Sequence, residues 1–505
     1  MDPDTQHVPD RGEDPDLAGF VAPLPPRGRN RWQVALLGGA LTVAVLAAGG
    51  AYAFTHSALS GGGTQPDDVL RSGAIALAKV DLNPSLGQKL AVWQLSQKFP
   101  EAFNAGSKDT VLKDSVVAAL LRDTPLSYDN DVKPWLGDRA AVAVYPAPTK
   151  SDAPELAFAL QYTDATAMTT GLQKLDKSRH ISWVSRNGYV VVADQPEQAA
   201  DLVAADSAHA MSAQDNYRSD TAALGGGQLA LGWADLTGLN SAALQSIAHA
   251  ATGHGADLLR TALAGQSGPS SGRVAVGLHA DSSYLELVGR TFGAKSTAGL
   301  AHSTGHDLAG AMPADSLAAI SVTDIGAASS RINDLLGAQP AVGSAVKGLN
   351  KRYGLSITGL LAAIFGKETA VALGPMHGGN PDVTLRTSGG NASKVTSILG
   401  LLTAMVGDKF AGLKPTADGF VIGNNPSEVK AAGGTGHPLA DTAAFKAAVP
   451  DADRAGLVAY ANIARLVDQG VIPPADTNGL EHVQSVGLTS SGGDNPQFRL
   501  RLTVN

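Results

Sequence analysis

Short runs dense in Val, Ala and Leu, bounded by Gly, Pro and Asp, set the rhythm of this chain. AAVAVY at 140–145 and ELAFALQY at 155–162 read as strands, and the proline-bearing stretch between Tyr145 and Glu155 reads as the turn of a hairpin. GYVVVA at 188–193 is a further strand that passes into a helix at PEQAADLV, where Pro196 suits a first helical turn. RVAVGL at 273–278 and YLELVGR at 284–290 form another strand pair. In TVLKDSVVAALLR at 110–122, Leu112, Val116 and Leu120 recur at helical spacing while Lys113 and Asp114 turn away. Paired strands interrupted by helices predict an α+β fold, with a mainly antiparallel sheet covered by helices.

The pattern occurs twice. NGYVVVADQPEQA at 187–199 faces DGFVIGNNPSEVK at 418–430, and WLGDRAAVAV at 135–144 faces IFGKETAVAL at 364–373. Pro154 to Leu156 face Pro381 to Val383, and Val276 to Leu278 face Val486 to Leu488. Self-similarity at a steady offset predicts two tandem homologous domains, each with its own helix-covered sheet, over 67–293 and 311–505, joined by a linker at 294–310.

One stretch breaks the rhythm. Between Arg31 and Asp67 there is no charged residue, and Val34 to Phe54 as a helix measures about 30 Å, the thickness of a bilayer's hydrocarbon core. This predicts one transmembrane helix over 32–54, which makes the lipid bilayer a partner through those residues. Arg27, Arg29 and Arg31 lie on one side of it, so the positive-inside rule places the N-terminus in the cytoplasm and the C-terminal domains outside a cell membrane crossed once. Ala51-Tyr52-Ala53 offers the competing reading of a cleaved signal peptide, but the apolar run is longer and the leading tail larger than such peptides carry. Residues 1–31, with six prolines and six acids, read as a disordered tail, and 55–66, with Ser60-Gly61-Gly62-Gly63-Thr64, as a flexible tether.

Composition narrows the function classes. A chain of 505 residues divides into roughly two to four units at about 150 residues each. The 38 Lys and Arg are outnumbered by 46 Asp and Glu, with no basic run after Arg31, so no nucleic-acid partner is expected. There is no cysteine, which excludes disulfides, thiolate metal sites and cysteine nucleophiles.

Candidate chemistry is thin. GPSSG at 268–272 has the spelling of a nucleophile elbow around Ser270, yet it precedes a strand where that turn must follow one. Ser344 and Lys347 match S-x-x-K without its companion elements. His302 and His306 with Asp307, and His249 and His254 with Asp257, have spacings that could hold zinc, but the first set lies in a poor helix and the second has no convincing third ligand. Gly359 to Lys367 has the wrong spacing for a phosphate loop. Asp81, Asp235, Asp324 and Asn462 each end an apolar strand before a helix; they read as helix N-caps, with a shared carboxylate site as the alternative. Asp138-Arg139 in one copy becomes Lys367-Glu368 in the other, a reversal that a surface ion pair tolerates. No catalytic residue is assigned, and neither a metal nor a cofactor is expected.

DVKPWLGDRAAVAV at 131–144, KVDLNPS at 79–85 and KFPE at 98–101 resemble the domain-of-unknown-function family 3352. The resemblance covers most of the region after the tether and is closest in the first copy; the second lacks counterparts of Pro134, Trp135, Asn83 and Pro84. It implies a single-span actinobacterial envelope protein and supplies no catalytic residues. The reading that results is a membrane-anchored extracytoplasmic protein, non-enzymatic, whose two domains bind an envelope protein or a lipid-like ligand. A cell-wall or lipid-processing enzyme and an envelope assembly scaffold are the alternatives.

Overall fold

Antiparallel pairing dominates the computed structural model, which describes residues 63–81, 86–99, 125–147, 154–193, 195–237, 272–293, 307–323, 366–393, 395–396, 412–473, 480–492 and 496–505. The first eight strands are β1 (Ala76–Asp81), β2 (Leu136–Tyr145), β3 (Glu155–Tyr162), β4 (Ser182–Arg186), β5 (Tyr189–Ala193), β6 (Ala230–Asp235), β7 (Arg273–Ala280) and β8 (Tyr284–Phe292). The next eight are β9 (Ala318–Thr323), β10 (Glu368–His377), β11 (Asn380–Ser388), β12 (Gly412–Pro415), β13 (Gly419–Gly423), β14 (Leu457–Ala461), β15 (Val483–Ser491) and β16 (Gln497–Val504). The helices are α1 (Pro66–Val69), α2 (Leu86–Lys98), α3 (Ala165–Arg179), α4 (Ala199–Leu202), α5 (Asp215–Ala222), α6 (Pro426–Lys430), α7 (Ala443–Ala448) and α8 (Ile463–Asp468).

All sixteen strands belong to one sheet, in the order β12-β13-β11-β10-β9-β14-β15-β16-β8-β7-β6-β1-β2-β3-β5-β4. Counted outward from the middle, the last eight strands repeat the order of the first eight. The middle is the ladder between β8 and β16, where Arg501 lies opposite Glu286 and Gln497 opposite Arg290.

This corrects the expected fold class. The α+β arrangement of two separate helix-covered sheets is replaced, among the described residues, by one antiparallel sheet with few helices. The cause lies at β8 and β16, each of which would otherwise be a rim strand with a row of unpaired N–H and C=O groups. Pairing them satisfies both rows and removes two edges.

The transmembrane expectation is corrected as well. Among the described residues no helix is long and apolar enough to cross a membrane. The longest, α3, has fifteen residues, about 22 Å against the roughly 30 Å a span requires. Residues 32–54, on which the span, the single-pass topology and the cell-membrane location all rested, lie outside the described residues. The tail at 1–31 and the helix expected over 110–122 lie outside them too.

Local elements follow from local sequence. The hairpin expected around residue 150 forms, with Tyr145 opposite Glu155 and Ala141 opposite Ala159. Asn187 and Gly188 take φ of 48° and 81° between β4 and β5, the positive values that a two-residue hairpin turn demands. α3 starts at Asp164, whose carboxylate accepts from the backbone N–H of Thr166 and Ala167. The core is layered on the sheet: Leu77, Val191 and Trp233 pack with Tyr217 of α5 in the first half, and Ala370, Val421 and Tyr460 pack with Phe445 of α7 in the second. On the opposite face of the first half, Trp135, Val190 and Val192 pack with Met168 and Leu172 of α3.

Candidate functional site

The segment leading into each half is fastened to the sheet by a side chain at one ladder position. Arg139, opposite Asp81, donates from Nη1 to the carbonyl of Thr64 at 3.3 Å. Tyr189 donates to the same carbonyl at 2.9 Å. In the second half the matching position, opposite Thr323, holds Glu368, whose Oε1 accepts from the N–H of Leu308 at 2.9 Å. A donor that grips a C=O has become an acceptor that grips an N–H. The Asp138-Arg139 to Lys367-Glu368 reversal is therefore no surface ion-pair exchange: Lys367 is exposed, but Glu368 is only 2% exposed. Burial, with Asp307 nearby, pushes the Glu368 carboxyl up to about 7, and the Leu308 N–H opposes that rise. Asp307, which accepts from the N–H of Gly310 at 2.8 Å, is itself raised by burial.

Behind the first lead-in segment lies a buried polar network. Asp67 Oδ2 accepts from Lys79 Nζ at 2.7 Å and from the Tyr217 hydroxyl at 3.0 Å. The Tyr217 ring stands edge-on to Trp233 at 5.7 Å. Trp233 donates from Nε1 to Asp220 at 2.9 Å, and Asp220 also accepts from Arg273 Nε at 2.6 Å. Burial first, then the Asp67 charge, holds the Tyr217 hydroxyl well above its ordinary range. The second half keeps the frame without the charges. Ser321, opposite Ala370 as Lys79 is opposite Ala141, replaces the lysine, and Phe445 stands edge-on to Tyr460 at 5.1 Å.

A third cluster occupies the β8–β16 seam. Arg501 donates from Nε and Nη2 to Glu286 Oε2 and from Nη1 to the carbonyl of Ala447, with its guanidinium 4.0 Å above the Tyr284 ring. Arg499 Nη1 lies 3.5 Å from Glu286 and 3.2 Å from Asp451. Arg290 shares this face, and the Nε atoms of Arg290 and Arg499 are buried without an acceptor.

A fourth cluster joins β10, β11 and α6. Asp382 Oδ2 lies 2.8 Å from His377 Nδ1 and accepts from Asn425 Nδ2 at 2.8 Å. Glu428 beside them is pushed up to about 7 by burial first and then by the charges of Asp315 and Asp382. Among the described residues no group of three or more His, Cys, Asp or Glu could hold a metal ion.

Of the sequence candidates, Asn462 is a helix N-cap and Asp235 closes a turn, the helix expected after it lying outside the described residues. Asp235 Oδ1 accepts from the N–H of Thr237 at 2.9 Å, and Asn462 Oδ1 accepts from the N–H of Arg465 at 3.1 Å at the start of α8. These are turn and cap contacts. The side chain of Asp81, together with Asp324, Ser270, Ser344, Lys347, His249, His254, Asp257, His302 and His306, lies outside the described residues. The structure thus brings together residues that the sequence did not point to: Asp67 with Lys79 and Tyr217, and Arg290 with Arg499. The only signal of the first was a lysine inside an apolar strand; a pattern of Arg at 290, 499 and 501 has none without the strand pairing.

Comparison with protein families finds a match over residues 36–410 to DUF3352, described as a protein of unknown function. No curated protein and no solved structure matches.

Proposed function

The chain belongs to the domain-of-unknown-function family 3352, and because membership brings no reaction with it, we propose from the geometry that it is a non-enzymatic binding module for a protein or a lipid-like ligand. The observation that carries this reading is the divergence of charged chemistry on a retained frame. Lys79 and Tyr217 give way to Ser321 and Phe445, and Arg139 gives way to Glu368, while strand order and the edge-on aromatic pair persist. A reaction needs its acid, base or nucleophile kept in place, whereas a scaffold needs its packing kept and its contact groups free to vary. The shared strand order also supports reading 67–293 and 311–505 as two copies of one sequence unit inside the single sheet.

Native mass spectrometry of the full chain, purified from its own cells, tests the reading together with cross-linking in those cells. A reproducible added mass or a specific cross-linked partner is the expected result. A bare chain with no specific cross-link overturns it.

A further inference from the structure

We propose that α6 is held on the β10–β11 hairpin by a proton-dependent clasp, closed while Glu428 and His377 are protonated and opened when they lose their protons. The clasp is a property of the fold and stands whether or not the chain binds a ligand. Three carboxyl groups, from Asp315, Asp382 and Glu428, gather here with one imidazole, from His377. Asp382 is already committed: its Oδ2 lies 2.8 Å from His377 Nδ1 and accepts from Asn425 Nδ2 at 2.8 Å. Asn425 is also the N-cap of α6, with its Oδ1 accepting from the N–H of Ser427 at 2.9 Å. The seat of the helix and the ion pair therefore share one carboxylate. Glu428, in the middle of α6, is only 7% exposed, and among the described residues its carboxyl accepts no hydrogen bond. Both acids crowd Gly374, where a Cβ would stand 3.0 Å from Asp382 Cβ and 3.6 Å from Glu428 Oε2.

A carboxyl placed in this way is stable only as the neutral acid. Ionised, it would be a charge without a donor in partly desolvated surroundings, facing two further carboxylates. Burial first, then the charges of Asp315 and Asp382, accordingly push it up to about 7. The other elements packed on α6 bring little relief. β13 and the turn at 431–435 hold no charged residue. β12 brings Lys414, whose Nζ lies beside Gly433, and β11 brings Arg386, whose Nη1 donates to the carbonyl of Ala432 at 2.8 Å. Lys430, on α6 itself, is exposed. Of the groups around Glu428 only His377 opposes the rise, and it is charged only while it holds a proton. Losing both protons leaves three negative charges and no positive one among these four groups. In the closed form Glu428 keeps its proton up to about 7, whereas in the opened helix it returns to the ordinary 4.5. Closure is therefore complete below about pH 4.5 and weakens as pH rises toward 7. Val429 of α6 packs with Val421 in the core of the second half, and it is the anchor that opening lifts.

Hydrogen–deuterium exchange of the full chain at pH 5 and pH 8, with each amide corrected for its intrinsic rate at that pH, reads the clasp directly. The N–H groups of Val429 and Ala431 are bonded to the carbonyls of Asn425 and Glu428. Between the two pH values they are expected to lose at least about tenfold more protection than the amides of α3, the loss that one unit of a carboxyl's shift allows. Glu428→Gln keeps the shape and cannot ionise, so α6 in that chain is expected to stay protected at both. Asp315→Asn removes one repelling charge and is expected to recover part of the protection at pH 8. His377→Asn is expected to lower protection at pH 5 and to leave it unchanged at pH 8. Equal protection of α6 at both pH values overturns the proposal, as does a loss in Glu428→Gln as large as in the parent. Reduced protection of Glu428→Gln at pH 5 overturns it too, by marking the carboxyl as a structural contact. If Glu428→Gln does not fold, Asp315→Asn decides, and protection at pH 8 equal to the parent's overturns the clasp.

Discussion

Lys79 and Asp67 are a buried ion pair whose side chains are 8% and 5% exposed, with Tyr217 as third member. Removing only the cation leaves a carboxylate without its counter-charge, so Lys79→Met is expected to cost about 3–5 kcal/mol in urea unfolding. The combined Lys79→Ser, Tyr217→Phe and Asp67→Ala chain, which resembles the second half, is expected to recover part of that loss. Glu368 makes a different forecast. Its folded value near 7 lies above the ordinary 4.5, so the folded chain keeps a proton that the unfolded chain releases. The stability it contributes is complete below about pH 4.5 and declines as pH rises toward 7. Glu428, raised to about 7 as well, adds to the same decline. Glu368→Gln retains an acceptor for the Leu308 N–H and removes the ionisation, so unfolding measured from pH 4 to 8 should show a shallower fall. An unchanged slope would mean that Glu368 ionises as an ordinary carboxylate.

At the level of elements, β8 and β16 decide the architecture, and Gly289 lets them pair. A Cβ at Gly289 would meet the ring of Phe498, which lies opposite it. Gly289→Leu is expected to destabilise the chain by about 1–3 kcal/mol by overpacking, read as a lowered melting temperature. The cost should shrink when Phe498→Ala accompanies it. The hairpin flanked by Tyr145 and Glu155 was legible in the sequence because its signal is local; Asn187-Gly188 carries an equally local turn signal, which the strand reading of 188–193 left unused. Asn462 was legible as a cap for the same reason. The fusion of the halves was not, since Arg501 and Glu286 are 215 residues apart and neither strand names its partner. The role of Arg139 and Glu368 was hidden likewise, because it depends on backbone groups 75 and 60 residues away. A charge reversal on paper looks like a surface exchange until the group it grips is known.

For the whole molecule, a sheet that runs unbroken through both halves couples their unfolding. Calorimetry is expected to show one transition, and Lys79→Met should shift all of it; two separated peaks, with only one displaced, would mean that the seam transmits little. The remaining rims are short: β12 has four residues and includes Lys414 and Pro415, and β4 has five, features that discourage further strand addition. The seam also sets a timetable for synthesis. Thr291 and its backbone partner Pro496 are 205 residues apart, so at about 5–20 residues per second β8 emerges roughly 10–40 s before β16 does. Throughout that interval a growing chain offers an open strand to whatever lies beside it. On a crowded polysome the nearest matching strand belongs to a neighbouring copy, so exchange of β16 between sister chains is the misassembly this topology invites, and it should rise with the rate of initiation on the message.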